Sequence, residues 1–309
     1  MKNFVPGFLF FFFVLLGCKT NTGKKNGHPV IVKLPPKTSM QTSKNNNGSP
    51  GYNYDLKNPA NTWKLPAALV EVSGNTWIDK NHLILIEDTH PGLYLIKTDD
   101  QSAVLEKVIP FQKDEKDKFD IEDVTMVNDV VYALWSHGIL FEIANWNSKP
   151  VVKEIRTFLS KENNAEGLCY DPVTKKLLIA CKDKSGIAGE EKSAKAVYQF
   201  DIETQKLAEK PFLVIHKEDF EKLAGEKLDF NPSAIAVHPV THDVYLLSTL
   251  DNKCMAVFSH DGALKALQFI DKELMPQPEG ICFSPEGKLY ISSEGKKGEP
   301  GNLFEFEAK

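Results

Sequence analysis

The stretch Glu166-Gly-Leu-Cys-Tyr-Asp-Pro172, followed at residues 177–182 by Leu-Leu-Ile-Ala-Cys-Lys, decides the fold of this chain. A polar residue leads into a short run of β-forming residues, a turn and a second strand, which together make one β-hairpin. The pattern occurs five times, beginning at Glu71, Glu122, Glu166, Ser233 and Glu279. The starts lie 44 to 67 residues apart, a spacing typical of propeller blades. The sequence therefore predicts an all-β protein, a five-bladed β-propeller.

Further strands complete each blade, because large apolar and polar residues alternate after every hairpin. Third strands are predicted at residues 92–97, 139–143, 196–200, 255–259 and 302–306, and fourth strands at 103–111, 151–158, 207–214 and 264–270. The fifth repeat lacks a fourth strand, so we expect an N-terminal strand at 52–57 to complete the last blade and cover its open edge. Two longer connections, 183–195 and 216–230, lengthen the third repeat, and residues 217–223 have the pattern of one or two helical turns.

The N-terminal residues are typical of export rather than of the fold. Lys2 precedes an apolar run at 8–16, which is short for a membrane span but suits a signal peptide. The run ends in Leu15-Leu-Gly-Cys18, which resembles a bacterial lipobox, in which the cysteine is lipidated; an ordinary secretory signal with a chance Cys18 is the alternative. We expect a signal peptide at 1–18, a flexible polar tether at 19–50 and the propeller at 51–309. The protein would then be anchored in the bacterial envelope and face the periplasm.

Composition and spacing exclude several functional classes. The formal net charge is −5 and lysines are scattered, so nothing indicates a nucleic-acid partner. The cysteines at 169, 181, 254 and 282 fit no zinc pattern, and a disulfide among them cannot be assigned from sequence. His238 and His242 have a metal-like spacing, but their counterparts in other repeats are Pro-containing turns, so we interpret them as turn residues.

The residue that starts each repeat is the candidate site. In a propeller the first strand of each blade lines the central channel, so Glu71, Glu122, Glu166 and Glu279 are predicted to share one level, with Ser233 in the fifth position. Several carboxylates near one axis repel one another. Two solutions are open: each Glu caps backbone N–H groups, or several share a hard cation. Oxygen ligands in a wide opening favour Ca²⁺.

Five motifs, in order, resemble the SdiA-regulated family. They are Leu65-Pro-Ala-Ala-Leu-Val-Glu-Val-Ser-Gly74, Phe119-Asp-Ile-Glu-Asp123, Asn164-Ala-Glu-Gly-Leu168, Gln277-Pro-Glu-Gly-Ile281 and Leu289-Tyr-Ile-Ser-Ser-Glu-Gly295. That family is similar to NHL-repeat proteins and is described as a five-bladed propeller with a calcium site. The resemblance therefore implies a calcium cofactor, bound at Glu71, Glu122, Glu166 and Glu279. Ser233 departs from the Glu pattern.

A second ring of polar residues is predicted where the second strands end. Its members are Asp88, Ser136, Lys182, Ser248 and Glu294, flanked by His90, His137 and Asp183. We expect this ring near the end of the hairpins opposite the Glu level. There it would either line a funnel-shaped pocket or consist of solvated strand ends.

Two functions follow from these features. The first is a lipid-anchored, calcium-stabilised propeller that binds a small-molecule or protein ligand, because the chain has no nucleophile elbow and no cysteine with an activating neighbour. The alternative is a calcium-dependent hydrolase of a lactone, ester or phosphoester, as in the distantly similar gluconolactonases and paraoxonases. Calcium held by Glu71, Glu122 and Glu166 would polarise the bond, and His137 or His90 would act as general base.

Overall fold

A computed structural model describes residues 54–308, apart from 114–118, 191, 193, 226–227 and 251–252. The signal peptide, the tether and Cys18 lie outside the described residues and stay predictions. Among the residues that are described, no helix combines the length and apolar character needed to cross a membrane.

The described chain forms five antiparallel blades. Strand β1 (Asn61–Lys64) comes first, and the first blade follows with β2 (Val72–Asp79), β3 (His82–Glu87), β4 (Gly92–Thr98) and β5 (Ala103–Pro110). The second blade contains β6 (Ile121–Val127), β7 (Val130–Trp135), β8 (Ile139–Ala144) and β9 (Val151–Arg156). The third contains β10 (Ala165–Asp171), β11 (Lys176–Cys181), β12 (Ala194–Asp201), β13 (Lys206–Leu207) and β14 (Leu213–His216), followed by helix α1 (Lys217–Ala224). The fourth contains β15 (Pro232–Val237), β16 (Val244–Ser248), β17 (Cys254–Phe258) and β18 (Leu264–Phe269). The fifth contains β19 (Gln277–Phe283), β20 (Leu289–Glu294) and β21 (Asn302–Phe306).

The blades close into a ring around a central channel. Each inner strand packs against the next in the order β2, β6, β10, β15, β19, and β19 returns to β2. One buried apolar cluster lies between each pair of neighbouring blades. A single blade would leave its apolar faces exposed to water, so burial between blades stabilises the ring. The predicted five-bladed propeller is confirmed.

The last blade is closed by an N-terminal strand, but not by the residues predicted. Strand β1, at Asn61–Lys64, pairs with β21, whereas Tyr54 makes only an isolated bridge to Ala308. The prediction at 52–57 is wrong because a turn begins at Asp55, whose carboxylate accepts hydrogen bonds from the Lys57 N–H and the Asn58 amide. The topology is as expected, and the strand begins several residues later.

The third blade has a divided fourth strand. A single strand was expected over 207–214, whereas β13 and β14 pair separately with β12. The interruption contains Pro211, which has no N–H to donate to the ladder. The predicted helical turns are confirmed as α1, which ends at Gly225 with φ of +75°.

The His238 segment is a turn, as predicted. Its Nδ1 accepts hydrogen bonds from the N–H groups of Val240 and Thr241 at 3.2 and 3.1 Å. Its Nε2 lies 3.1 Å from the Tyr54 hydroxyl, which donates to the Gly287 carbonyl at 2.6 Å. Both ring nitrogens are therefore engaged within the protein. His242 has a φ of +61°, as a turn residue.

Candidate functional site: an acidic channel mouth

A β-bulge interrupts every inner strand at the same position. In each hairpin one residue of the first strand has no partner on the second strand, because the register shifts across it. These extra residues are Ser73, Glu122, Glu166, Ser233 and Glu279. We call them the bulge ring. Four of the five predicted starting positions are thus structurally equivalent.

Glu71 does not belong to the bulge ring, so the predicted equivalence of this residue is wrong. Ser73 takes its place, and Glu71 lies two residues earlier, where its backbone carbonyl accepts a hydrogen bond from the Asp88 N–H at 3.2 Å. The sequence holds a signal for the correct alignment. Gly74 follows Ser73 as Gly167 follows Glu166, so aligning the repeats on these glycines gives the observed register.

The two bulge-ring serines and one neighbouring aspartate connect blades through their side chains. Ser73 Oγ donates to the Ile121 carbonyl of the second blade at 2.6 Å, and Ser233 Oγ donates to the Pro278 carbonyl of the fifth at 2.9 Å. The wholly buried Asp123 accepts from the Leu168 N–H of the third blade at 2.7 Å. Of these three residues only Asp123 caps a backbone N–H of the next blade, which is one of the two roles considered for the Glu residues, whereas the two serines bind carbonyls.

The bulge-ring glutamates face a cavity of about 260 Å³ at one mouth of the channel. Its lining residues are strongly polar, and six of them are carboxylates against one ammonium group. They are Ser73, Asp88, Asp120, Glu122, Asn164, Glu166, Lys182, Glu279 and Glu294. With every group ionised, the wall has a large negative charge in a small volume, so the cavity attracts cations.

Lys182 is the internal cation of this cavity. Its Nζ lies 2.7 Å from Glu166 Oε2, and both side chains are largely buried. Asn164 also donates to Glu166 Oε1 at 2.8 Å. Burial would lower the pKa of Lys182, but the ion pair with Glu166 raises it, so the ammonium stays charged. The sequence predicts Lys182 in the second-strand ring but does not indicate that it is a counter-ion of Glu166.

Glu122 and Glu279 have no hydrogen bond or ion pair with any residue that the structure describes. Burial, followed by the charges of Glu166 and Asp120, raises the pKa of Glu122 well above its usual value. Burial and Glu166 raise the pKa of Glu279 to about 8, against the opposing effect of Lys182. One lysine therefore does not neutralise the bulge-ring carboxylates.

A second acidic group lies beside the cavity. Carboxylate oxygens of Glu71, Glu87 and Asp88 lie within 4.8 Å of one another. The carboxylate of Glu87 already accepts hydrogen bonds from the Thr89 hydroxyl and the His90 N–H, each at 2.7 Å. The Oδ1 atom of Asp88 is buried without a hydrogen-bond partner in the described structure. Burial, with Glu71 and Glu87 nearby, raises the pKa of Asp88 to about 7.

The second-strand ring lies at the same mouth as the bulge ring, and the prediction that it lies at the opposite end is wrong. In an antiparallel hairpin the end of the second strand returns to the start of the first. Accordingly, the Ser136 N–H bonds to the Asp120 carbonyl at 3.0 Å, and the Lys182 N–H bonds to the Asn164 carbonyl at 2.8 Å. Asp88, Lys182 and Glu294 line the acidic cavity, whereas Ser136 and Ser248 do not. The funnel and the Glu level are therefore one site.

Neither histidine suggested as a general base lines the acidic cavity. His90 is exposed, and its Nδ1 lies 2.8 Å from Glu87 Oε2. His137 stacks on Trp135, with ring centroids 5.0 Å apart. The four cysteines of the described chain are buried as free thiols, as expected of strand residues facing the core.

The fold and the repeat motifs together define a propeller whose family can be identified. The model of the SdiA-regulated family matches residues 44–306, and the chain belongs to this family. No curated protein sequence matches the chain at a significant level.

Two solved structures are similar to this chain at low sequence identity. The crystal structure of glutaminyl cyclase from Myxococcus xanthus is 14% identical, with a TM-score of 0.54, and the match covers 81% of this chain and 95% of that chain. Streptogramin B lyase is 8% identical with a TM-score of 0.46, over 80% of this chain and 97% of that chain. At 14% identity the likeness to the glutaminyl cyclase concerns the fold alone.

Proposed function

We propose that this protein is a calcium-binding propeller of the bacterial envelope that binds a ligand or partner rather than catalysing a reaction. The observation that carries the proposal is the acidic mouth, where six carboxylates face one ammonium group. Every donor there that could hold a metal is an oxygen, apart from Lys182, which is charged. Such a donor set selects hard cations over zinc or copper.

The carboxylates differ in how well they suit the ion. Glu71 and Asp88 are the best ligand candidates, because their oxygens lie close to each other and to Glu87, and Asp88 Oδ1 has no donor in the described structure. Glu122 and Glu279, unpartnered in the described part of the chain, would contribute from the bulge ring. Glu166 is the poorest candidate of the predicted set, since Lys182 already pairs with it.

Calcium would supply charge neutralisation here. It accepts six to eight oxygen ligands in irregular geometry, which suits carboxylates from several blades better than the octahedral demand of Mg²⁺. Burial, and after it the neighbouring carboxylates, raises the pKa values of Asp88 and Glu279, and a bound cation would lower both by neutralising charge beside them. The ion would thereby stabilise the native ring.

The hydrolase alternative receives less support from the site. A general base must reach the substrate beside the metal, and neither His90 nor His137 lines the cavity. An ester and lactone screen with calcium present is the appropriate check. Turnover that is lost in Asp88→Asn would favour hydrolysis over binding.

The metal is tested on the full chain, stripped with chelator, by melting temperature against added Ca²⁺, Mg²⁺ and Na⁺. We expect a saturable rise with Ca²⁺, worth about 2.7 kcal/mol at a hundred times the dissociation constant. Asp88→Asn should weaken the response, whereas Asp100→Asn, at an exposed aspartate outside the acidic mouth, should not. An unchanged melting temperature in saturating Ca²⁺ would eliminate the calcium site.

Anchoring is the second part of the proposal. The lipobox-like end at Cys18 supports attachment to the membrane by lipid, with the propeller facing the periplasm. Cys18→Ser should move the protein from the membrane fraction to the soluble fraction. Equal membrane retention of Cys18→Ser and the wild type would contradict lipidation. The formal net charge of −5 provides no basic surface for nucleic acid, so we expect the partner to be a small molecule or a protein.

A further inference from the structure

A cavity of about 460 Å³ lies where the last blade meets the first, outside the central channel. Its lining residues come from β1, β20 and β21 of the fifth blade and from β2, the end of β4 and the turns after both strands in the first blade. The volume falls within the range of small-molecule pockets and exceeds that of the acidic mouth. No described residue lines both cavities, so this is a separate site.

Three aromatic side chains from three strands form part of the wall. They are Trp63 on β1, Trp77 on β2 and Tyr290 on β20, and we call the space between them the seam cavity. All three pack in the apolar cluster between the fifth and first blades. None of them has a ring contact with another aromatic side chain of the described chain. The rings therefore surround one space without stacking on each other, as in the aromatic cages that bind quaternary ammonium groups.

Two of these rings are fixed by hydrogen bonds to the protein. The Trp63 Nε1 donates to the Asp99 carbonyl at 2.7 Å, and the Tyr290 hydroxyl donates to Glu305 Oε2 at 2.8 Å. Both side chains are buried, whereas Trp77 is only half-buried and is the ring that a ligand from solvent would reach first. Because the polar ends of the two buried rings are already engaged, the wall is preformed and a ligand has little to reorganise.

The charge of the wall favours a cation. Four carboxylates line the seam cavity against two ammonium groups, and they are Asp99, Asp100, Glu286 and Glu305 against Lys80 and Lys288. Lys288 already pairs with Glu305 at 3.2 Å and with Glu307 at 2.6 Å. Asp100 and Glu286 are exposed and have no hydrogen bond or ion pair with any residue that the structure describes. These two carboxylates are therefore available to attract a cation to the opening.

We propose that the seam cavity binds a small organic cation with a quaternary ammonium group. Such a group is bulky and has no N–H to donate, so it is held by attraction to aromatic faces, most strongly those of Trp, and by nearby carboxylates. A metal ion is disfavoured, because the buried Glu305 carboxylate already accepts from the Asn61 amide and the Lys288 ammonium, each at 3.2 Å. The proposal depends neither on calcium at the acidic mouth nor on membrane anchoring.

The test compares choline with 3,3-dimethylbutan-1-ol, a neutral molecule of the same shape in which carbon replaces the ammonium nitrogen. Ligand-observed NMR with the full chain in saturating Ca²⁺ gives each dissociation constant. Choline should bind at least about fivefold more tightly than the alcohol, because only the cation is attracted by the aromatic faces. Trp77→Leu should weaken choline binding at least about fivefold and should affect the alcohol less, since leucine keeps an apolar contact but has no aromatic face.

A variant at an exposed turn keeps the test valid if Trp77→Leu fails to fold. Glu286→Gln should weaken choline binding about two- to threefold at low salt, where exposed charges are least screened. Glu279→Gln, the same change at the acidic mouth, is the matched control and should leave choline binding unchanged. A loss in Glu279→Gln but not in Glu286→Gln would assign choline to the acidic mouth and overturn the proposal.

Two comparisons of ligands complete the test. Equal binding of choline and the alcohol to the wild type, or tighter binding of glucose than of choline, would show that the cavity does not select a cation. Vesicles of phosphatidylcholine distinguish a free cation from a lipid headgroup as the source of the ammonium group. Binding of these vesicles without binding of free choline would also overturn the proposal, because the seam cavity would then not be the site that holds the cation.

Discussion

The carboxylate of Asp123 in the second blade accepts a hydrogen bond from the Leu168 N–H of the third blade at 2.7 Å. Its other oxygen accepts from the Val124 N–H at 2.8 Å. The equivalent positions on the other inner strands are Gly or Ala, so only this strand places a carboxyl group at this level. The space comes from Gly74, where an added Cβ would lie 2.6 Å from Asp123 Oδ1.

Asp123→Ala should destabilise the propeller by about 2–3 kcal/mol, because the Leu168 N–H would lose its acceptor while staying buried. Asp123→Asn should cost less, since an amide oxygen can still accept that bond. Burial raises the pKa of Asp123 well above its usual value, so loss of the charge itself is tolerated. Urea unfolding gives both values. Equal stability of the Ala variant and the wild type would show that the inter-blade bond contributes nothing.

Lys182→Met should lower the free energy of unfolding by about 3 kcal/mol at pH 8. Glu166 would lose its ion-pair partner, and the neighbouring carboxylates would lose the only cation in the described cavity wall. The loss should shrink at pH 5, where Glu166, with its pKa raised to about 7 mainly by burial, is protonated. Urea unfolding of the wild type and the variant at both pH values measures this difference in stability. Lys184→Met, at a half-exposed ion pair, is the control. A loss that is independent of pH would argue against the electrostatic role.

Without metal, the propeller should become less stable as pH rises from about 5 to 8.5. Burial and neighbouring carboxylates raise the pKa of Asp88 and of Glu294 to about 7, and of Glu279 to about 8. The unfolded chain has carboxyl pKa values of about 4, so the folded state binds more protons across this window, and stability falls as they are released. We expect a loss of at least about 2 kcal/mol.

Urea titrations in chelator at several pH values check this dependence. Saturating Ca²⁺ should flatten the profile, because the ion replaces the protons. Glu279→Gln should reduce the slope without calcium. A stability that is constant or increases between pH 5 and 8.5 in the chelated wild type would refute the raised pKa values of these carboxyl groups.

Much of the architecture was predictable because the repeats encode it locally. Four of the five hairpin starts carry a polar residue before Gly or Ala, and the turn residues at Asp171 and Ser284 mark where the strand reverses. The blade count, the four strands per blade and closure by the N-terminal segment follow from these signals. The exact closing strand did not, since the turn at Asp55 depends on side-chain hydrogen bonds that have no periodicity.

The site was only partly predictable. Three bulge-ring glutamates were identified, but a bulge shifts the register by one residue and hides the equivalence of Ser73. Glu166 lies near the start of β10, and Lys182 directly follows β11. Only the antiparallel pairing of these two strands brings the ammonium group to the carboxylate. Asp123 gave no signal, because its role depends on the empty volume beside Gly74 in another blade.

Trp63 holds the closing strand to the first blade, and its removal should loosen the ring. The indole is 5% exposed, and its Nε1 donates to the Asp99 carbonyl at 2.7 Å, while its strand pairs with β21 of the last blade. Trp63→Phe should cost about 1–2 kcal/mol through the lost bond. Trp63→Ala should cost about 3–5 kcal/mol, because a cavity is also created.

Hydrogen exchange separates a loosened closure from general destabilisation. In Trp63→Ala, the amides of β1 and β21 should exchange faster than those of β7 and β8 in the second blade, because hydrogen bonds between β1 and β21 join the first and last strands of the described chain. Trp146→Ala, the same truncation at a buried tryptophan of the second blade, is the matched control and should leave β1 protected. Uniform acceleration over all five blades would mean that the ring opens as a whole and that Trp63 does not specifically hold its closure.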